Sequence, residues 1–328
     1  MITSRLIAGL FSSVILLASQ VSNANPTAPE KITLAGGSVG GAWSAIGTAI
    51  GETLRKEYPG TSFTYEPGRE SGNVVLVSQG KVQLGIAHAQ FAKRALEGLD
   101  PFKQPLSDLR AIAMIDPQAA VQIFARTASG ITSLEQIRDQ KMPVRVALNS
   151  KGTLMAITGE QVFEAYGFSV KDIEKWGGRL SYVSYNTGLE QVKNGQVDLI
   201  INMLAFPSSQ VVSAARDTPL RMLGLNSAAI KTLNTKLGTA TIEVPANTYS
   251  FEAPAIQTVR GSVVIVASAN MKDTEAQAIV EAMLKNFTFL QKSHATLARL
   301  TPESLAQTAP LALHPGALAA YKKAGLIK

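Results

Sequence analysis

The feature that most constrains the fold is a pattern of alternating strands and helices that occurs twice. Residues 80–86 read GKVQLGI, and residues 195–201 read GQVDLII. In both places a glycine follows a short helical stretch and begins a mostly apolar strand. Alternating strands and helices favour parallel α/β sheets, so we interpret the repeat as two related α/β lobes. Two ordinary helix-to-strand turns would give the same match.

Two uninterrupted apolar runs are long enough to connect such lobes as buried strands. They are residues 121–125 (VQIFA) and 262–267 (SVVIVA). Two crossings predict a hinge, with ligand loops of the two lobes facing each other across a cleft. The predicted boundaries are a lead-in at 25–30, the first part of lobe 1 at 31–120, lobe 2 with the crossing strands at 121–264, and the return to lobe 1 at 265–328.

The N-terminus has the composition of a signal peptide. Arg5 gives a positive start, residues 6–18 are apolar, and the small residues Ser22 and Ala24 suit signal peptidase. We expect residues 1–24 to be removed and the mature protein to be periplasmic, with a retained N-terminal anchor as the alternative. No second long apolar stretch follows, so the mature chain is expected to contain no membrane span.

Composition excludes several classes of function. The 328 residues contain no cysteine, which rules out thiol chemistry and zinc–thiolate sites. The formal charge is +7, but the lysines and arginines are scattered. We therefore expect no nucleic-acid partner, and only a mild preference for small anions.

A glycine-rich turn at residues 35–43 (AGGSVGGAW) joins the first strand to the first helix. Such a turn presents free backbone N–H groups beside a helix N-terminus, which favours an anionic or carbonyl-bearing ligand. Ser38, Gly40, Gly41 and Trp43 are its candidate binding residues. Ile46, Ile50 and Leu54 follow at helical spacing.

Two enzyme motifs overlap this turn, and both are incomplete. Residues 36–40 spell G-x-S-x-G, which would make Ser38 a hydrolase nucleophile with His88, His294 or His314 as base. However, no strand precedes the turn to supply a second oxyanion donor. A dinucleotide fingerprint would use Glu66 for the ribose, but Ala35 replaces its first glycine. We predict that the chain is not an enzyme and that it holds no cofactor.

The histidines lack metal-ligand spacing, so no metal site is predicted. We expect His294 on a helix surface and His314 in a turn. For His88 and Gln90, after the third strand, binding and plain loop roles stay open. The same holds for the loop residues Arg69, Glu70, Ser71 and Asn73.

Downstream, Thr187 and Glu190 predict a capping box for a helix of the second lobe.

The chain resembles the TAXI family of solute receptors over essentially its whole mature length. These are the extracytoplasmic binding proteins of TRAP transporters. The resemblance is carried, in order, by residues 36–43 with Gly47, Ser71 and Asn73 before Gly80, Thr248 with Tyr249, and residues 313–317 (LHPGA) with Tyr321 and Gly325.

The resemblance implies a type II periplasmic-binding-protein fold: two α/β lobes joined by two crossing strands, with a ligand cleft between them. It also implies a glutamate-like amino acid or a dicarboxylate as ligand, uptake coupled to an ion gradient, and the membrane subunits of a TRAP transporter as partner. Matching residues of the first lobe are Ser38, Gly41, Trp43, Ser71, Asn73 and Gln90. Those of the second lobe are Ser150, Gly152 and Thr153.

Departures from the family pattern leave the ligand open. Phe206 stands where the family tends to have a glycine, and Arg69 and Glu70 replace residues that are often small. A small anion needs a compensating charge in the cleft, and the Arg69 guanidinium suits a carboxylate, so we assign Arg69 that role. The alternatives are a receptor of the tripartite tricarboxylate type and, with less support, a secreted serine hydrolase that uses Ser38.

Overall fold

A computed structural model describes residues 28–251 and 254–328, so the predicted signal peptide lies outside the described residues. Within them the chain forms ten strands and thirteen α-helices. The strands are β1 Lys31–Gly36, β2 Ser62–Pro67, β3 Leu84–His88, β4 Leu109–Arg126, β5 Arg145–Leu148, β6 Arg179–Tyr182, β7 Leu199–Leu204, β8 Leu220–Leu223, β9 Ala240–Val244 and β10 Ile256–Ser268.

The helices cover the faces of the sheet. They are α1 Ala42–Glu57, α2 Glu70–Ser78, α3 Ala89–Glu97, α4 Leu134–Gln140, α5 Leu154–Ala165, α6 Val170–Lys175, α7 Tyr185–Lys193, α8 Ser209–Asp217, α9 Ser227–Leu237, α10 Asp273–Lys285, α11 Phe287–Ser293, α12 Pro302–Leu305 and α13 Pro315–Lys323. Among these described helices, none combines the length and the apolar character needed to cross a bilayer.

The strands follow the order β2-β1-β3-β10-β4-β7-β5-β6, with β8 beside β4 and β9 beside β10. β1 pairs in parallel with β2 and β3, and β5 pairs in parallel with β6 and β7. Each group of three parallel strands forms the sheet of one lobe. β4 and β10 run antiparallel to each other between the two groups.

The two crossing strands change partners along their length. From Ala120 onward β4 pairs with β7 of the second lobe. β10 pairs with β9 up to Arg260 and with β3 of the first lobe from Val263. The predicted runs at 121–125 and 262–267 are therefore the lobe-bound parts of longer strands, and the change of partner lies just before each of them. The hinge and the lobe boundaries stay predictions.

The repeated pattern has a structural counterpart. Gly80 and Gly195 both adopt left-handed backbone, with φ of 66° and 68°, one residue after the cap residues of α2 and α7. Glycine tolerates this conformation without the steric cost that a Cβ brings. It turns the chain from the helix into β3 and β7, so equivalent residues perform the same task in the two lobes.

Apolar residues at the predicted spacing fix α1 against the first lobe. Ile46, Ile50 and Leu54 are buried, as are Ile32 and Leu34 of β1. Burying each such side chain stabilises the fold by about 1.5 to 3 kcal/mol. The packing sets the start of α1, and with it the glycine-rich turn, at the edge of the lobe.

The C-terminal turn is structural. His314 is the N-cap of α13, and its Nδ1 accepts a hydrogen bond from Gly316 N at 3.2 Å. Its Nε2 lies 3.1 Å from the Met271 carbonyl oxygen, and burial lowers the pKa of the imidazole. The predicted turn role of His314 is confirmed.

Candidate ligand-binding site

A cavity of about 540 Å³ lies between the lobes. Its walls come from the glycine-rich turn and Gly68–Glu70 in the first lobe, and from the ends of β5 and β7 with the starts of α5, α7 and α8 in the second. The predicted site residues that line it are Ser38, Gly40, Gly41, Trp43, Arg69, Ser150 and Thr153. Those that do not are Ser71, Asn73, Gln90 and Gly152.

The glycine-rich turn is held by a tyrosine of the neighbouring strand. The Tyr65 hydroxyl donates to the Gly37 carbonyl oxygen at 2.7 Å. Gly41 is the N-cap of α1 and has no side chain to cap the helix. Ser44 N and Ala45 N donate to the Gly41 carbonyl oxygen, which leaves the N–H groups of Ala42 and Trp43 to a ligand or water.

Asn73 supports the turn from behind and does not face the cavity. It is fully buried, and its Nδ2 donates to the carbonyl oxygens of Gly36 at 3.2 Å and Ile86 at 2.9 Å. These bonds tie α2 to the ends of β1 and β3. The structure thus places Asn73 as a support of the turn.

The other three predicted residues outside the cavity lie where the lobes approach each other. Gln90 faces a separate cavity of about 500 Å³ and makes contacts of 3.4 Å to Gly238 O and Ser262 N. Ser71 and Gly152 face each other across the lobes: a Cβ on Gly152 would lie 3.0 Å from the Ser71 Oγ.

Glu70 joins the two lobes. Its Oε1 accepts hydrogen bonds from His88 N at 2.7 Å and His88 Nδ1 at 2.8 Å. Its Oε2 accepts a hydrogen bond from Leu154 N, the first residue of α5, at 2.7 Å. The side chain is buried, with 1% exposure, and lines the cavity. The sequence left Glu70 open between a loop residue and a binding residue.

Trp43 stands beside this pair. Its ring centroid lies 5.5 Å from that of His88. The His88 Nε2 is buried without a hydrogen-bond partner among the described residues. His88 therefore supports the cavity wall from behind, and the Trp43 side chain lines the cavity.

Asp116 is a second buried carboxylate in the wall, on β4 just before the strand changes partners. One of its oxygens accepts a hydrogen bond from Gln118 N at 2.8 Å. Burial raises the pKa of Asp116 to about 6, against smaller opposing effects that include this hydrogen bond and the charge of His88. Sequence reasoning missed this residue, although an acid directly after the apolar residues 111–115 was a signal.

The second lobe contributes polar groups at the ends of β5 and β7. Thr153 caps α5 by accepting from Ala156 N at 3.2 Å. Asn149 Nδ2 donates to Asn202 Oδ1 at 3.2 Å, and both side chains line the cavity. The Tyr185 hydroxyl is buried and has no partner among the described residues. Asn149, Asn202 and Tyr185 were also missed, although asparagines near the carboxyl ends of parallel strands commonly face a ligand.

Cations lie at the rim of the cavity. Arg69 and Lys292 line it, and both are exposed. His294 is half-buried in the wall and not on a helix surface as predicted, because it ends α11 where the chain turns back. Burial lowers its pKa.

Phe206, which departs from the family pattern, does not line the cavity. Ala205 and Pro207 line the cavity, whereas the Phe206 ring packs into the core of the second lobe. The Arg299 guanidinium lies over that ring at 4.8 Å. The bulky side chain is thus accommodated away from the cavity.

No catalytic arrangement surrounds Ser38 in the described part of the chain. Its hydroxyl makes no hydrogen bond there to a histidine: His88 bonds to Glu70, His294 to Thr296 N, and His314 to Gly316 N and Met271 O. Residues 28–251 and 254–328 also hold no group of three metal-ligating side chains.

Comparison with protein families decides the relationship. The model of the NMT1-like family matches residues 34–325, which include every residue that lines the cavity. The chain belongs to the NMT1-like family. The cavity is therefore part of the segment that this NMT1-like protein shares with its relatives.

Solved structures with the same fold include MatC from Rhodopseudomonas palustris with bound malate. The sequences are 12% identical, the match covers 92% of this chain and 100% of that chain, and the TM-score is 0.58. A binding-protein component of an ABC phosphonate transporter from Pseudomonas aeruginosa is 14% identical over 83% of this chain and 80% of that chain, with a TM-score of 0.51. The predicted two-lobe periplasmic-binding-protein fold is confirmed.

Proposed function

We propose that this NMT1-like protein is an extracytoplasmic solute receptor. It binds a small organic anion between its lobes and delivers it to the membrane subunits of a TRAP-type transporter. The observation that carries the proposal is the interlobe cavity, with the uncapped start of α1 in its first-lobe wall. Main-chain N–H groups at helix starts favour anions.

Two further observations support an anionic ligand and a transporter. One protein of the same fold was solved with malate, and another is a component of a phosphonate transporter. The resemblance to TAXI receptors supports the TRAP class. The malate of MatC equally suits a receptor of the tripartite tricarboxylate type, which is the second candidate. A neighbouring gene for a large fused membrane subunit would favour the TRAP class.

The test of solute binding is a thermal-shift screen over amino acids and carboxylates. A ligand at a hundred times its Kd stabilises the folded state by about 2.7 kcal/mol, which raises Tm by several degrees. At least one compound should do so with the wild-type protein, and the shift should shrink in Trp43→Ala. A screen without any stabilising compound contradicts the proposal.

The hydrolase alternative is tested separately with a panel of ester and amide substrates. We expect no turnover that depends on Ser38. Turnover that disappears in Ser38→Ala, with Tm unchanged, would replace the receptor with an enzyme.

A further inference from the structure

The Glu70 carboxylate occupies a position that an anionic ligand would otherwise use. Leu154 N is the first helical N–H of α5, a helix of twelve residues in the second lobe. A helix start favours one negative charge, through its free N–H groups and the helix dipole. Glu70 comes from the other lobe, 84 residues earlier in the chain, and supplies that charge at 2.7 Å.

Two of the next three N–H groups at the start of α5 are also in use. Ala156 N donates to the Thr153 hydroxyl oxygen at 3.2 Å, and Ile157 N donates to the Thr153 carbonyl oxygen at 3.2 Å. Two hydrogen bonds from His88 fix the other Glu70 oxygen. A ligand carboxylate that approached α5 would thus meet a buried carboxylate already held from both lobes.

The other charged groups in the wall make a second ligand carboxylate still less favourable. Asp116 is the other buried carboxylate among the described lining residues. The cations of the wall, Arg69 and Lys292, are exposed at the rim, where water screens them. One ligand carboxylate can bind at the glycine-rich turn and the rim, whereas a second would face the negative charges of Glu70 and Asp116.

We propose that Glu70 is a specificity-determining residue that replaces a ligand carboxylate at the second lobe, so that the site accepts ligands with one carboxylate and rejects dicarboxylates. The inference rests on the proposed receptor function and narrows its ligand class. It also makes Glu70 a contact that favours the closed arrangement of the lobes.

Calorimetric titration with matched compounds tests the charge rule. The pairs are glutamine with glutamate, asparagine with aspartate, and succinamate with succinate, which differ only by a carboxamide in place of a carboxylate. In every pair that binds, the carboxamide should bind about tenfold tighter or more. Equal or tighter binding of the dicarboxylate would overturn the proposal.

Variants then assign the effect to Glu70. Glu70→Gln removes the charge and leaves one acceptor oxygen for the His88 and Leu154 donors, so the difference within each pair should fall to about threefold or reverse. Glu66→Gln makes the same change at an exposed residue of β2 and should keep the wild-type difference. An unchanged difference in Glu70→Gln overturns the proposal. Should Glu70→Gln fail to fold, Glu70→Ala, which also removes the charge, takes its place with the same expected and contradicting results.

A measurement without ligand separates this inference from the receptor function. The chain has no cysteine, so spin labels can be placed at Lys81→Cys in the first lobe and Asn194→Cys in the second, both exposed. Double electron–electron resonance measures the distribution of distances between the labels. The population with the most compact arrangement of the lobes should be smaller in Glu70→Gln than in the wild-type protein. Identical distributions in wild type and variant would show that Glu70 does not join the lobes, whatever the screen finds.

Discussion

The Trp43 ring packs against the His88 imidazole, with centroids 5.5 Å apart and planes tilted by 51°. Glu70 holds His88 in turn, so the orientation of Trp43 depends on a buried pair that also contacts the second lobe. An indole in the cavity wall should respond when a ligand enters.

Tryptophan fluorescence tests this position of Trp43. The other tryptophan, Trp176, packs on Phe168 at 5.5 Å and does not line the cavity. We expect a compound that stabilises the protein to change the emission of Trp176→Phe as much as that of wild type. Loss of the change in Trp176→Phe, with Kd unaltered, would contradict a wall position for Trp43.

Asp116 should make stability depend on pH. Its pKa is about 6 in the folded protein and about 3.9 in an unfolded chain. Below about pH 4 the carboxyl is protonated in both the folded and the unfolded state. As the pH rises from about 4 to about 6, the carboxyl ionises in the unfolded state first, which lowers the free energy of unfolding by roughly 2 to 4 kcal/mol. Asp116→Asn should therefore raise Tm at pH 7.5 and change it little at pH 4. An exposed control, Asp217→Asn, should show no such dependence, and an Asp116→Asn that destabilises at pH 7.5 would contradict the burial argument.

Arg69 is predicted to contact the ligand carboxylate. Arg69→Ala should weaken binding of a stabilising anion roughly tenfold, the low end for a charged hydrogen bond, because the side chain is exposed. The loss should shrink at high salt, which calorimetry at two ionic strengths measures. Arg216→Ala, outside the cavity on α8, is the matched control. Equal affinities of Arg69→Ala and wild type would show that Arg69 is a solvated surface residue that does not contact the ligand.

Asn73 should contribute to stability and not to binding directly. Asn73→Ala removes two buried hydrogen bonds, to Gly36 O and Ile86 O, and should cost about 1 to 3 kcal/mol in the free energy of unfolding. Urea denaturation measures this cost, with the exposed Asn270→Ala as control. A stable variant with a large loss of affinity would instead make Asn73 a ligand contact.

The fold could be predicted from the sequence because it follows from local patterns. Buried strands are apolar runs, α1 has helical spacing, and the glycines at 80 and 195 mark equivalent turns. The ends of helices and strands were predicted less well than their positions, because polar side chains compete there for backbone donors. The capping box predicted at Thr187 was wrong: Ser184 caps α7 by accepting a hydrogen bond from Thr187 N at 3.2 Å.

The candidate site was less predictable, since its decisive contacts join distant parts of the chain. Nothing near Glu70 in sequence indicates that its partner is Leu154 N. Asn73 and Ser71 lie on the same first turns of α2, yet one supports β1 and the other faces Gly152. Which of these polar residues faces the cavity depends on how the lobes pack, and that information is not local.

Hydrogen exchange, read by mass spectrometry, tests the central claim that ligand binds between the lobes. The measurement compares backbone amides with and without a compound that raises Tm. We predict increased protection in both the turn at residues 37–43 of the first lobe and residues 150–156 of the second, because both line the same cavity. Protection confined to one lobe, or to residues outside the cavity, would contradict an interlobe site.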